Sequence, residues 1–155
     1  MLIYLSSGIA SLHYLALAMG LGSLFMRGRY FRALEKSWDD ATLKSLFAAD
    51  SFWGIAALLW IGTGLARAFG GLEKGSGFYL HHRLFWLKMG LFLLVFLIEL
   101  RPMFTLLRWR NAQRRGGTYS GQSQLGSFIR SNDVEVVLVV SIVFVASAMA
   151  RGIGF

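Results

Sequence analysis

Four stretches of the chain are apolar almost all the way round, separated by polar and basic segments. They run from Ile3 to Phe25, Ser51 to Phe69, Leu84 to Leu107 and Val134 to Ala150. A helix on the surface of a soluble domain keeps a polar face, and none of these four has one. Each is close to the ~20 residues needed to cross a ~30 Å hydrocarbon core. The pattern therefore predicts an all-α integral membrane protein: one four-helix up-down bundle over residues 1–155, with helices near 3–25, 41–69, 84–107 and 132–150. The first segment has no basic leader and outruns a signal-peptide core, so it is read as a retained span.

Polar and small residues refine the ends. In "DDATLKSLFAAD", Asp39 and Asp40 suit the start of helix 2. Leu43, Leu46, Phe47 and Asp50 then share one face, with Asp50 at the membrane margin. Asn132 with Glu135 three residues on resembles a cap opening the last helix, and capping also accounts for Asp133. Trp53, Trp86 and Trp109 suit the interfacial belts, while Trp60 lies deeper between Ala56 and Gly64. Ala16 with Gly20, and Ala18 with Gly22, form two four-residue rows that permit close helix contact. The segments "GGLEKGSGFYLHH" and "RNAQRRGGTYSGQSQLGSFIRS" read as loops, with His81 and His82 at a solvated interface.

The net charge is +8, which raises the question of a nucleic-acid partner, and placement argues against one. Segments 27–50 and 101–133 hold 11 of the 16 Lys and Arg, and the opposite side holds four: Arg67, Lys74, Arg83 and Arg151. That asymmetry is a topology signal, putting both termini on the non-cytoplasmic side and the basic loops against anionic lipid. The partner it implies is the lipid bilayer. The absence of cysteine excludes disulfides, thiolate metal sites and cysteine nucleophiles. No Walker loop, dinucleotide fingerprint or HExxH motif is present.

Candidate chemistry rests on the ionisable residues inside the apolar runs, where each is costly unless it faces an interior. His13 lies near mid-span, as a ligand or proton carrier or as a histidine bonded to a neighbouring helix. Lys88 either snorkels to the outer interface or meets an anionic partner. Glu99 lies eleven residues beyond Lys88, about three turns and ~16 Å along the axis, so the two share a stripe with Phe92 and Val95 between them. That stripe suits a flat apolar ligand held at both ends; the plainer reading pairs Glu99 with Arg101 or Arg108. Asp50 either acts in the same site or pairs with Arg27 or another loop arginine.

The segments "LHYLALAMGLGSLFMRGR", "DSFWGIAALLWIGTGLARAFGGLEKGSGFYLHH" and "LFWLKMGLFLLVFLIELRPMFTLLRW" closely resemble a bacterial family of membrane proteins, domain of unknown function 2214. More loosely, the layout with His13 in the first helix, Lys88 early in the third and "SND" before the fourth is similar to HemJ-type protoporphyrinogen oxidases, and more distantly to CopD-like membrane domains. The chain reads "RGRYFR" where HemJ proteins often carry a further histidine. The looser resemblance implies a bacterial inner-membrane oxidoreductase with haem b or a porphyrin. It implies His13 as the metal ligand and Lys88 as the carboxylate partner; in such a site Glu99 or Asp50 would pass protons or hold the opposite end. Two other readings stand beside it: an accessory subunit or homo-oligomer within a membrane complex, and a small solute or copper transporter.

Overall fold

The computed structural model describes residues 2–71, 76–116 and 121–153. It contains α1 (Leu2–Lys36), α2 (Asp40–Phe69), the short α3 (Ser76–His81), α4 (Arg83–Arg114) and α5 (Leu125–Ala150), with a 3₁₀ turn at Gln122–Gln124. The four long helices are each apolar and long enough to cross a membrane. α1 packs along α2 and α5, α4 leans on α5, and α2 and α4 touch only lightly. The chain is thus a four-helix bundle with no strand among the described residues.

Every long helix starts at or before its predicted position, and three run past the apolar stretch. α1 continues to Lys36, α4 to Arg114, and α5 begins at Leu125 rather than near residue 132. The reason is a second apolar core at the basic end. There Phe31, Leu34, Leu43, Leu46, Phe47, Leu106, Trp109, Leu125 and Phe128 pack together, which gives polar-flanked turns a face to bury. Asn132, Asp133 and Glu135 are therefore mid-helix residues, and the proposed cap does not exist. Asp39 does cap α2: its carboxylate accepts from the Thr42 N–H at 2.8 Å. That bond holds the Asp39 carboxyl below the usual carboxylate range.

A middle core of Ala16, Leu24, Trp53, Trp60, Val95, Val139 and Ile142 lies further along the bundle, and Ala68, Phe85 and Met149 close the far end. The two small-residue rows part company. Gly20 is buried with room for the Trp53 ring, since a Cβ there would lie 3.1 Å from Cζ3; Gly22 faces open space. Trp53 and Trp109 are core residues rather than belt residues, and Trp109 stacks edge-on with Trp38 at 5.5 Å. Trp86 alone of the three is exposed. His82 is also buried: it caps α4 by accepting from the Leu84 N–H at 3.2 Å. Chain reversals after α2 and α4 use Gly71 and Gly116, both at φ +67°, a region that side chains with a Cβ disfavour.

Exposed large apolar side chains run from Leu2 to Met26 on α1, Phe52 to Phe69 on α2 and Trp86 to Leu107 on α4. At 1.5 Å per residue these bands are about 25–36 Å long, the thickness of a hydrocarbon core. Beyond the margin nearer residue 27, exposed residues include the basic Arg29, Arg32, Lys36, Lys44, Arg108 and Arg114.

Candidate functional site

One helical turn beyond Leu24 and one turn before Phe31, α1 carries Arg27 between the middle core and the basic-end core. The other helices place polar residues at the same level: Asp50 between Phe47 and Trp53, Glu99 after Val95, and Asn132 with Glu135 between Phe128 and Val139. Arg27 is fully buried. Its Nε donates to Asn132 Oδ1 at 2.9 Å, and its Nη1 donates to Glu99 Oε1 at 2.7 Å and to Asp50 Oδ1 at 3.3 Å. Nη2 donates to Glu99 Oε2 at 2.8 Å and to Glu135 Oε2. A guanidinium has five N–H donors, and all five here have acceptors. The Glu99 pair is bidentate, the strongest geometry available to these groups.

A further ring of contacts fixes this hub. Asn132 Nδ2 donates to the Leu24 carbonyl at 3.1 Å, against Gly28, where a Cβ would lie 2.7 Å from that nitrogen. Arg110 lies 3.6 Å from Asp50 Oδ2 and donates to the Phe47 carbonyl at 2.8 Å. Pro102, buried three residues beyond Glu99, leaves the Ile98 carbonyl without its usual helical donor. The Arg32–Asp133 pair, at 2.6 Å, sits outside the hub and is half exposed.

The structure therefore brings together two of the four site residues singled out in the sequence, Asp50 and Glu99. Asp50 takes the Arg27 partner foreseen as one alternative. Glu99 pairs with neither Arg101 nor Arg108 but with Arg27, a long-range contact that spacing along α4 cannot reveal. In the sequence Arg27 reads as a loop charge, and Glu135 and Asn132 as caps. The one available signal was Arg27's register: it follows Gly20, Ser23 and Leu24 on the buried face of α1.

His13 and Lys88 lie elsewhere. His13 is half-buried on α1, its ring 5.8 Å from Trp60 and its Cε1 facing Gly64, where a Cβ would come within 3.4 Å. Its Nδ1 is 2.8 Å from Thr63 Oγ1. The Thr63 hydroxyl directs its own hydrogen to the Leu59 carbonyl at 2.6 Å. With that hydrogen on the carbonyl, the Thr63 oxygen is placed to accept from a hydrogen on His13 Nδ1. The Lys88 ammonium lies 5.2 Å from the Phe85 ring centroid, toward the far end of the bundle. Between Lys88 and Glu99 the stripe faces inward: Phe92 packs on Trp60 at 6.0 Å and Val95 is buried. Among the described residues, no group of three or more His, Asp and Glu is arranged to hold a metal ion.

These features define a multi-helix membrane protein whose apolar helices close round a buried arginine–carboxylate hub. The chain belongs to the family described as "Predicted membrane protein (DUF2214)", which matches residues 5–154. No curated protein and no solved structure matches it.

Proposed function

We propose that this chain is a bacterial inner-membrane protein that holds haem b or a porphyrin at His13 and serves a HemJ-like redox role. The observation that carries this reading is the orientation of the imidazole. Histidines that bind metals commonly donate their second ring N–H to a fixed acceptor, which sets tautomer and angle. Thr63 plays that part for His13, being itself anchored on the Leu59 carbonyl. Trp60 and Phe92 supply aromatic surface beside the ring, and Gly64 leaves it room.

Haem b held there would supply one-electron chemistry. The protein's own residues would do the rest. Thr63 would keep Nε2 as the ligating atom, and Lys88, nearer the far end, would meet a ligand carboxylate. Asp50 and Glu99 stand at the opposite margin, tied to Arg27, where they would exchange protons with the basic-end water.

The test is a reduced-minus-oxidised optical spectrum of protein purified from haem-replete cells. A Soret band that disappears in His13→Ala and shifts in Thr63→Val is the expected result. Absence of the band in the wild type, or its persistence unchanged in His13→Ala, overturns the proposal. A stoichiometric partner co-purifying in mild detergent without any Soret band would instead favour the accessory-subunit reading, to which the open Gly22 face of α1 lends itself.

A further inference from the structure

The hub has more carboxyls than cations. The charged groups that face it are Arg27 from α1, Asp50 from α2, Glu99 and Arg110 from α4, and Glu135 from α5. Two guanidinium charges against three carboxylates would leave one uncompensated negative charge. Isolated charge in such surroundings is strongly unfavourable unless paired and hydrogen-bonded. The excess has an address. The Glu135 side chain is fully buried, and its Oε1 has no hydrogen-bond partner, because Arg27 has already committed all five donors. Glu99 Oε2 and Glu135 Oε2 also converge on one nitrogen, Arg27 Nη2. Two ionised carboxylates crowded there repel one another; one proton held by the pair removes the repulsion.

We infer that the Arg27 hub is a proton-binding site, holding one exchangeable proton on the Glu99–Glu135 carboxyl pair. The proton comes from water and takes the hub from one net negative charge to neutrality; its release returns the charge. The Glu135 side chain is fully buried, whereas the Glu99 and Asp50 side chains keep 15% and 12% of their exposure. Exchange therefore passes through Glu99. The site links α1, α4 and α5, so loading and unloading it changes how strongly α5 is held to α1. It does not depend on any cofactor at His13, so either proposal can fail without the other.

Infrared spectroscopy of the full chain in lipid vesicles tests this directly. The wild type at neutral pH should show the carbonyl stretch of a protonated carboxyl, displaced on exchange from H₂O to D₂O. Glu135→Gln and Glu99→Gln each restore charge balance and should remove the band. Asp133→Asn, altering a carboxylate outside the hub, should leave it. Gln at 135 mimics the protonated side chain in shape, and circular dichroism checks that each variant keeps its helices. No exchangeable band in the wild type, or a band surviving in both glutamine variants, overturns the inference. The wild-type spectrum decides the first of these even where a variant does not fold.

Discussion

Arg27 reaches five acceptors on three other helices from a position with no access to water. Lysine could not replace it, because a point charge with three donors lacks the planar fork that meets Glu99 with two parallel bonds. The neighbouring Gly28 is as constrained as the arginine. A methyl group there would collide with Asn132 Nδ2, which is already bonded to the Leu24 carbonyl. Gly28→Ala should therefore push Asn132 away and strip Arg27 Nε of its acceptor, costing about 1–3 kcal/mol for the stranded polar groups. Thermal unfolding in detergent would register this as a lowered midpoint, and Gly22→Ala, on the open face of the same helix, should cause little change.

At the scale of elements, apolar length revealed the four spans but not where the helices stop. The turns past residue 25 on α1 and before residue 132 on α5 look polar because their outer faces carry Arg29, Arg32, Ser127 and Arg130. Their inner faces, with Phe31, Leu34, Leu125 and Phe128, are visible only once a partner core is known. Tryptophan misled for a related reason, since a ring near a span's end suits an interface and a core equally well. Trp109 belongs to the core, and Gly121 fits beneath it: a Cβ at that position would lie 1.9 Å from the indole Cζ2. Gly121→Ala should thus displace the α4–α5 connection from the ring. The expected outcome is a red-shifted, more quenchable tryptophan emission, with the helix content measured by circular dichroism nearly unchanged.

For the whole molecule, the hub marks the boundary between two environments. On one side the exposed large side chains include many Leu, Phe and Ile; on the other, exposed Arg and Lys outnumber exposed Asp and Glu. Membrane character was legible from hydropathy, and Asp50 and Glu99 stood out as charges in costly positions. Their common partner was not, because which helix faces meet is decided by packing among residues far apart in sequence, as Gly20 with Trp53 and Gly28 with Asn132 show. Charge compensation at Arg27 is the condition for the four apolar helices to close. Removing one member of such a group leaves unpaired buried charge and typically costs about 3–5 kcal/mol, whereas neutralising all members together is often tolerated. The most direct measurement is the unfolding free energy in detergent of Arg27→Met, alone and combined with Asp50→Asn, Glu99→Gln and Glu135→Gln. The single variant should be severely destabilised and the combined one should recover most of the loss; an Arg27→Met protein as stable as the wild type would contradict the account.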